Sequence, residues 1–361
     1  MKAGLAAYWR TLATGTRADV LARLVQLLLV PPSLVYSLLQ RLRAGLYRVG
    51  LLRSRRLPRP VISIGNITVG GTGKTPATAY IARLLLAQGL RVAVLSRGYG
   101  GSREGQTVVV SNGSEMFLSA EECGDEPFLL ASTIPGLMVV IGSDRHAAGL
   151  LAMERLMPDV FLLDDGFQHL RLQRDLNILL LDYARPFGNG WCLPAGLLRE
   201  PKCAAHRADL VILTRCPDGA TAAAVVPDRP HCCARHLLGT TLPLAGGKTL
   251  RLDVLRGKKI VAFAGIAEPD AFFAGLRSHG LNLVATLSFP DHATYDDDTL
   301  HAIADTFRVS GADVALTTEK DGVKLTALPG ELADKIRLAR LELTMDDPTP
   351  LTILLRNLLQ K

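Results

Sequence analysis

Acidic residues are missing from a long stretch near the start of this 361-residue chain. Between Asp19 and Glu104 there is no Asp or Glu, although the whole chain has 34 acidic and 41 basic residues and a formal net charge of +7. Seven arginines crowd the approach to the first predicted strand: Arg41, Arg43, Arg48, Arg53, Arg55, Arg56 and Arg59. This concentration of positive charge indicates that the N-terminal region meets an anionic partner.

Long apolar runs are missing as well. The apolar segment 20–30 is followed by Pro31 and Pro32, and no uninterrupted run reaches the ~18–20 residues of a membrane span. We expect two amphipathic helices, the second capped by Ser33. A basic amphipathic pair of this kind is typical of helices that lie in a membrane interface. The alternative is an ordinary helix pair packed on the domain with its basic residues in solvent.

Aromatic residues make up only 5% of the chain, and no recognisable nucleic-acid module accompanies the arginines, which argues against a nucleic-acid partner. The six cysteines form no C-x-x-C pair, and the N-terminus does not resemble a cleavable signal peptide, so we expect reduced thiols in the cytoplasm. Cys232 and Cys233 lie near His231 and His236, but adjacent cysteines lack the spacing of common zinc sites.

A glycine-rich loop follows the apolar run 61–64 and precedes a helical pattern. A strand that turns through glycines into a helix directs backbone N–H groups and the positive end of the helix dipole at a phosphate. We expect Lys74 to contact the β- and γ-phosphates and Thr75 to bind Mg²⁺. Thr68 stands where the strict pattern has its first glycine. The predicted phosphate-binding residues are Thr68, Val69, Gly70, Gly71, Thr72, Gly73, Lys74 and Thr75.

Two carboxylates follow a second apolar run, at 160–163. Asp164 and Asp165 would then lie at the carboxyl edge of the sheet, where such acids hold Mg²⁺ directly or through water. The alternative is that one of them only caps the turn before Gly166. Gln168 and His169 follow within one turn, and a histidine in such a place is more often structural.

Apolar runs and helical patterns alternate along the chain, which is the signature of a parallel sheet wrapped by helices. The predicted strands are 92–95, 137–141, 160–163, 176–181 and 210–213, and the predicted helices are 76–88, 126–132 and 145–155. A segment rich in Ala, Pro and Gly, 217–247, is predicted to be irregular and to mark a domain boundary. A second α/β series follows, with strands near 260–264, 283–287 and 314–316 and a final helix at 350–359.

Seven short motifs then make the sequence resemble one family. They are 65–76 (G-N-I-T-V-G-G-T-G-K-T-P), 96–100 (S-R-G-Y-G), 124–127 (G-D-E-P), 164–169 (D-D-G-F-Q-H), 193–201 (L-P-A-G-L-L-R-E-P), 289–292 (F-P-D-H) and 318–321 (T-E-K-D). In this order they resemble the motifs of the tetraacyldisaccharide 4'-kinases, the lipid A 4'-kinase family. Three positions depart from the family pattern: Leu197 for a usual proline, Ala293 for a second histidine and Gly322 for a common alanine.

The resemblance implies a reaction, a location and an organisation. ATP, with Mg²⁺, would phosphorylate the 4'-hydroxyl of a tetraacyldisaccharide 1-phosphate at the cytoplasmic face of the inner membrane and give lipid IVA. The fold would be an α/β, P-loop NTPase-like parallel sheet with helices on both faces. We expect residues 1–58 to form the helices for membrane or lipid contact, 59–235 the kinase core, and 236–361 a smaller C-terminal α/β domain that closes the cleft. No obligate protein partner is implied.

The resemblance also assigns residues. Asp125 becomes the base that accepts the hydroxyl proton, assisted by His292 from the predicted second domain; the simpler alternative for Asp125 is a helix N-cap. Independently of the resemblance, Arg145 and Arg199 are candidate phosphate contacts because a guanidinium suits phosphoryl oxygens, although a surface salt bridge would explain either arginine alone. Gln168 is a further candidate for nucleotide contact. Glu200 joins Asp164, Asp165 and Thr75 as a candidate Mg²⁺ ligand.

A function from a different class also fits the glycine-rich loop. Membrane-associated ATPase switches of the partitioning or targeting type have a similar G-G-x-G-K-T turn, but they usually carry an additional lysine at the start of the loop, where this chain has Val69. A nucleotide-gated scaffold without catalysis would need no base, so Asp125 with His292 argues against it. ATP consumption that requires an acylated disaccharide would distinguish the kinase from both alternatives.

Overall fold

The structure is a computed structural model that describes residues 8, 9, 11–16, 19–222, 224–325, 328 and 330–360. Its strands are β1 (Val61–Gly65), β2 (Val92–Ser96), β3 (Val108–Asn112), β4 (Met138–Ile141), β5 (Val160–Asp164), β6 (Leu176–Asp182), β7 (Leu210–Thr214), β8 (His231–Pro243), β9 (Leu250–Arg251), β10 (Lys259–Ala264), β11 (Asn282–Ser288), β12 (Val314–Thr318) and β13 (Ile336–Met345). Its helices are α1 (Val20–Arg48), α2 (Lys74–Leu86), α3 (Ala120–Cys123), α4 (Asp125–Thr133), α5 (Arg145–Arg155), α6 (Pro269–Ser278), α7 (Asp297–Val309), α8 (Glu319–Gly322), α9 (Gly330–Ala333) and α10 (Thr349–Leu359), with 3₁₀ helices at Lys202–Arg207 and Leu252–Leu255.

The chain forms two compact units that are interleaved in sequence. The first unit contains Met1–Thr78, Pro158–Arg235 and Met345–Lys361, and the second contains Ala79–Met157 and His236–Thr344. One passage between the units falls at the predicted boundary after residue 235. The other passages differ from the predicted linear division, because 79–157 groups with 236–344.

A parallel sheet forms the centre of the first unit. β1 pairs in parallel with β5 on one side and with β6 on the other, and β6, β7 and β8 continue the sheet in parallel. Every residue of β1, β5 and β7 is buried, as expected for parallel strands covered on both faces. In the register, Ile64 of β1 lies opposite Asp164 of β5, so the carboxyl ends of these two strands lie side by side.

The second unit contains two groups of strands. In one group β2 and β4 are parallel and β3 is antiparallel to β4. In the other, β10 is parallel to both β11 and β12, and β13 is parallel to β12. The predicted strands at 260–264, 283–287 and 314–316 correspond to β10, β11 and β12, so the second α/β series predicted from the sequence is present.

The prediction that 217–247 is irregular was wrong for β8, a 13-residue strand. Its sequence, H-C-C-A-R-H-L-L-G-T-T-L-P, contains few large apolar residues, and its buried positions do not alternate regularly along its whole length. Hydrophobic periodicity therefore carried no strand signal there. Strands β3 and β13 were also absent from the predicted elements.

The N-terminal region forms one helix in place of the two that were predicted. α1 runs 29 residues, about 44 Å at 1.5 Å per residue, and contains Pro31 and Pro32. Ser33 does not cap a second helix, since it is buried inside α1 and its hydroxyl donates to the Cys192 carbonyl at 2.7 Å. Within the part of the chain that the structure describes, α1 is the one helix whose length and composition would allow it to cross a membrane.

One side of α1 is fixed to the rest of the first unit by hydrogen bonds. The Gln26 amide donates to the Ala195 carbonyl at 3.0 Å, and the Tyr36 hydroxyl donates to the Arg199 carbonyl at 2.9 Å. The other side exposes large apolar residues: Val20, Leu21, Leu24, Leu27, Leu28, Leu34, Val35, Leu38, Leu39 and Leu42. We call this set the apolar stripe of α1. Such a contiguous set is far more than a water-facing helix needs, and it marks an interaction surface.

Candidate active site

The glycine-rich loop lies between the end of β1 and the start of α2, as predicted. Gly70 has a φ of 123° and Gly73 a φ of 77°, conformations that residues with a Cβ rarely adopt. The Asn66 side-chain amide donates to the Thr72 hydroxyl at 2.7 Å and ties the two ends of the loop together. The helix that follows begins at Lys74, so the loop leads directly to a helix N-terminus, the arrangement that binds anions.

The segment 197–199 pairs with the start of the loop. The Val69 N–H donates to the Leu197 carbonyl at 2.8 Å, and the Arg199 N–H donates to the Ile67 carbonyl at 2.8 Å. Thr68 and Leu198 form the antiparallel bridge between these bonds. The backbone of the loop is therefore held in place by the L-P-A-G-L-L-R-E-P motif.

The two predicted acids take different positions at the carboxyl edge of the sheet. Asp164, the last residue of β5, is buried and accepts a hydrogen bond from the Thr78 hydroxyl at 3.2 Å. Asp165 has a φ of 52°, in the left-handed region, and its side chain is 35% exposed. Its carboxylate lies 3.9 Å from the Lys74 ammonium and 2.9 Å from the Arg199 guanidinium.

Arg199 and Gln168 connect this edge to the start of the loop. Besides its bond to Asp165, the Arg199 guanidinium lies 3.4 Å from the Gln168 side-chain oxygen, and the Gln168 amide donates to the Asn66 carbonyl at 3.1 Å. A Cβ on Gly166 would lie 2.4 Å from the Leu163 Cβ, so the D-D-G turn requires glycine there. The structure thus brings Lys74, Asp165, Gln168 and Arg199 together.

Glu200 forms an ion pair with Arg207. It is buried, and the Arg207 guanidinium donates to both of its oxygens, at 2.6 and 2.9 Å. The same guanidinium lies over the Phe167 ring, 4.8 Å from its centroid. Because this fork-to-fork pair uses both carboxylate oxygens, the predicted binding of a metal by Glu200 would require the pair to open.

The second unit contains a carboxylate and histidine pair. Asp125 is the first residue of α4, while the N-cap is Gly124, which makes no side-chain cap bond. The Asp125 carboxylate instead lies 3.1 Å from Nδ1 of His292 and 3.5 Å from the Lys324 ammonium. The Asp125 side chain therefore contacts His292. Both residues lie in one unit, whereas the prediction placed His292 in a separate domain.

Lys324 links Asp125 to a second, fully buried carboxylate. Its ammonium lies 3.4 Å from Asp321, which accepts hydrogen bonds from the Gly265 N–H at 3.1 Å and from the Thr318 hydroxyl at 2.7 Å. Lys324 also donates to the Ala293 carbonyl, at 3.1 Å. The ammonium is therefore held between two carboxylates.

These contacts decide the charge of Asp125. Burial would raise the pKa of the Asp125 carboxyl, but the hydrogen bond with His292 and the charges of Lys324 and Lys320 together lower the pKa below its ordinary value. A carboxylate with a lowered pKa is ionised at neutral pH. Asp125 can thus accept a proton there.

His292 is held on three sides. Its φ of 59° is in the left-handed region, which is uncommon for residues other than glycine and which clusters at functional positions. Its ring meets the Tyr99 ring edge to face, with centroids 5.8 Å apart, and its Nε2 lies 3.3 Å from the Lys320 ammonium. Lys320 in turn lies 3.3 Å from Asp291.

Lys320 and Lys324 are functional candidates that the sequence analysis did not assign. The T-E-K-D motif contained Lys320 without a role, and Lys324 lies one turn beyond it, a spacing that could have indicated a shared face. Arg145, predicted as a phosphate contact, begins α5 and is buried, with its guanidinium donating to the Gly142 carbonyl.

Comparison with known proteins identifies the family. The family model for tetraacyldisaccharide-1-P 4'-kinase matches residues 25–360. The tetraacyldisaccharide 4'-kinase of Pelobacter propionicus is 65% identical to this chain, with all of both sequences covered. The tetraacyldisaccharide 4'-kinase of Geobacter metallireducens is 57% identical over 92% of this chain and 98% of its own. The chain belongs to the tetraacyldisaccharide 4'-kinase family.

A solved structure extends the similarity to the fold. The kinase matches a crystal structure of the "apo" form of LpxK from Aquifex aeolicus in complex with ATP, with a TM-score of 0.80, 35% identity and coverage of 93% of this chain and 99% of that one. The resemblance stated from the motifs and the α/β, P-loop NTPase-like fold are therefore confirmed. The phosphotransferase prediction is confirmed with them, and the ATPase switch is not favoured.

Proposed function

We propose that this kinase transfers the γ-phosphate of ATP to the 4'-hydroxyl of a tetraacyldisaccharide 1-phosphate and so forms lipid IVA. Family membership supports the reaction and the acylated disaccharide as acceptor. The solved relative in complex with ATP supports ATP as the donor. Phosphoryl transfer requires fixed phosphates, positive charge against the developing negative charge, and a group that accepts the hydroxyl proton.

The first unit supplies the phosphate-binding groups. The N–H groups of Gly70–Gly73 and the α2 N-terminus would hold the phosphates, with Lys74 at the β- and γ-phosphates. Arg199 and Gln168, fixed against Asp165 and the loop, would orient phosphate oxygens. Arg145 belongs to the second unit, and we propose it as a phosphate contact because a guanidinium suits phosphate oxygens.

The oxygen donors around α2 fit Mg²⁺. The hydrogen bond from Thr78 holds Asp164 against the first turns of α2, the helix that contains Thr75, and Asp165 lies beside Lys74. A hydroxyl and carboxylates are the ligands that Mg²⁺ prefers, so we propose Thr75, Asp164 and Asp165 as the metal-binding residues. Bound there, Mg²⁺ would neutralise charge on the phosphate oxygens. Glu200 would join them only if its pair with Arg207 opened.

The second unit supplies the proposed base. Asp125, ionised at neutral pH, would accept the proton of the 4'-hydroxyl as that oxygen attacks phosphorus. His292, hydrogen-bonded to the same carboxylate, would orient it and share the proton's charge. The contacts with His292 and Lys324 support this role, because neither is needed for a carboxylate that only caps a helix.

The proposed location is the cytoplasmic face of the inner membrane. The family acts in lipid A synthesis at the membrane, and its substrate carries acyl chains. The apolar stripe of α1 would lie in the membrane interface. The seven arginines, which belong to a stretch of sequence without Asp or Glu, would lie near anionic headgroups. The protein would then be peripheral or monotopic.

The observation that carries the proposal is the ionised Asp125 paired with His292 in a chain that belongs to this kinase family. The test is purified protein with ATP, Mg²⁺ and tetraacyldisaccharide 1-phosphate, with the products resolved by mass. A gain of one phosphate on the disaccharide, absent in Lys74→Ala, is expected. ATP hydrolysis at the same rate without the disaccharide would instead support the membrane ATPase switch.

A further inference from the structure

A cavity of ≈ 470 Å³ lies in the first unit, away from the glycine-rich loop. Its walls are the C-terminal half of α1, the turn before β6 and the segment that leads into the 3₁₀ helix Lys202–Arg207. This volume accommodates a phosphate group with part of the molecule that carries it. Three of its lining residues have roles proposed above, Glu200 as a conditional metal ligand and Arg41 and Arg48 beside anionic headgroups, but none of those roles requires the cavity itself.

The walls carry an excess of positive charge. Four arginines line the cavity, Arg41, Arg48, Arg174 and Arg207, against one carboxylate, Glu200, which Arg207 already binds through both oxygens. Three guanidinium charges therefore remain without a carboxylate partner from the cavity wall.

Arg174 shows how concentrated this charge is. Its guanidinium is fixed by hydrogen bonds to the Asn177 side-chain oxygen at 2.9 Å and to the His169 carbonyl at 2.8 Å. Burial, together with the neighbouring charge of Arg207, lowers the pKa of Arg174 to about 10. Arg174 stays charged at neutral pH, so an anion in the cavity would relieve the repulsion between the two guanidinium groups.

The cavity opens beside the apolar stripe of α1. Arg41 and Arg48 are seven residues apart and so lie on the same side of the helix, two turns from each other. Leu38 and Leu42, both in the stripe, flank Arg41 along the helix at positions three residues before and one residue after it. A molecule whose apolar chains lie on the stripe would thus place its polar head at the arginines.

We propose that this cavity binds the phosphate group of a membrane amphiphile whose acyl chains lie along α1. Guanidinium groups match phosphate oxygens in pairs, which explains why the cavity is lined with arginines. The adjoining stripe explains why the ligand is an amphiphile and not a free anion. Two sources supply the same chemistry, a glycerophospholipid of the bilayer and the 1-phosphate of the disaccharide, and only the second rests on the proposed function.

Cys203 provides a direct probe because it lines the cavity and its side chain is exposed. Alkylation of Cys203 by N-ethylmaleimide would be followed by mass on the purified full-length chain, with dihexanoyl phosphatidic acid added below its micelle concentration. Dihexanoyl phosphatidylcholine and inorganic phosphate serve as comparisons. We expect the phosphatidic acid to slow alkylation in a saturable way, at concentrations where inorganic phosphate does not.

Two pairs of substitutions separate a site from general surface charge. Arg41→Gln with Arg48→Gln should raise the half-protecting concentration about tenfold or more, since two charge-assisted contacts are lost. Arg155→Gln with Arg356→Gln removes the same charge from exposed arginines that lie outside the cavity and are not among the seven N-terminal arginines, and it should leave protection unchanged. Ala44→Phe, which fills the cavity without changing charge, should abolish protection. It provides the test if Arg41→Gln/Arg48→Gln does not fold.

The outcomes decide the proposal and then the source. No saturable protection in the wild type, or equal weakening by both arginine pairs, overturns the site. Protection by tetraacyldisaccharide 1-phosphate, with a matching rise of its KM in Arg41→Gln/Arg48→Gln, assigns the site to the substrate. Protection by phosphatidic acid with an unchanged KM assigns it to a bilayer lipid. Since alkylation needs no turnover, failure of the proposed reaction would leave this result standing.

Discussion

At the scale of single residues, Lys74 makes the sharpest prediction. Its ammonium lies 3.9 Å from Asp165 and follows the glycine-rich loop directly. Lys74→Ala should remove the charge from the β- and γ-phosphates and lower kcat by far more than tenfold, while circular dichroism shows an unchanged fold. The exposed Lys335→Ala is the matched control. Turnover above about a tenth of the wild type, a barrier change below ~1.4 kcal/mol, would show that the phosphate-clamp role is wrong.

Asp125 and His292 should act as one catalytic unit, because their side chains are 3.1 Å apart. Asp125→Asn and His292→Ala should each lower kcat more than they raise the KM for ATP, since both residues are assigned to the acceptor proton. The double variant should lose less than the product of the two single losses. Fully multiplicative losses in steady-state kinetics would mean that the two residues work independently.

Lys324 should set the pH range in which Asp125 works. The wild-type carboxyl has a pKa below the ordinary ~3.9 of aspartic acid. Protonation of Asp125 should therefore not lower kcat until the pH is below this ordinary value. Removing the cation in Lys324→Met should raise the pKa of Asp125, because burial then acts with less opposing charge. The acid limb of the kcat profile should therefore move to higher pH.

The control for this shift is Lys248→Met, which removes an exposed lysine from the same unit. A lower kcat at all pH values with an unmoved acid limb would mean that Lys324 only maintains local structure.

Sequence analysis could assign Asp125 and His292 through short motifs. It could not assign Lys324, because the contact joins residues about 200 positions apart that only the folded chain brings together.

At the scale of elements, α1 carries the membrane prediction. Replacing Leu38, Leu39 and Leu42 with Ser should release the protein from anionic vesicles and raise the apparent KM for the lipid, while ATP binding is retained. Burying each leucine in the interface is worth roughly 1.5–3 kcal/mol, whereas screened arginines alone hold a protein weakly at physiological salt. Vesicle co-flotation at low and high salt measures the effect.

The matched control replaces three exposed apolar residues outside α1, Val309, Leu341 and Ile353, with Ser. It should float with vesicles like the wild type. If the α1 variant floats equally well at both salt concentrations, the apolar stripe does not contact the membrane, and the interpretation of α1 as a helix that only packs on the domain is correct.

Elements were predictable where hydrophobic period and flanking turns agreed. β1, β5 and β7 are uniformly buried and lie within a residue of the apolar runs that predicted them. α1 was mispredicted because Pro31 and Pro32 weaken a helix locally, while hydrogen bonds from Ser33 and Tyr36 to the rest of the first unit hold it continuous. Such tertiary contacts do not register in a local pattern.

At the scale of the whole molecule, the last helix should stabilise the unit that contains the glycine-rich loop. α10 belongs to the same unit as the glycine-rich loop, and its Leu351 and Leu355 are fully buried. Leu351→Ala should lower the free energy of unfolding by about 2–5 kcal/mol, and ATP should restore part of it by binding the folded state. Urea unfolding with and without ATP measures both effects. The control is Ile353→Ala at a half-exposed position, which should leave the free energy of unfolding and its increase with ATP unchanged.

The interleaving of the two units was beyond prediction from sequence. Alternating apolar runs and helical patterns indicate a parallel sheet, but not which segments gather into which unit. The grouping of 79–157 with 236–344 depends on contacts such as Asp125 with Lys324 and Asp125 with His292. The carboxyl edge of the sheet was predictable, since Asp164 and the loop follow neighbouring parallel strands.

The four passages between the units impose an order on biosynthesis. The ribosome delivers α1 and the glycine-rich loop before the second unit, but the first unit lacks Met345–Lys361 until residues 79–344 have been made. At about 5–20 residues per second, this leaves an interval of some tens of seconds. During that interval the apolar stripe of α1 is already outside the ribosome and can insert into a nearby bilayer. The nascent chain would thus reach the membrane before its nucleotide-binding unit is complete.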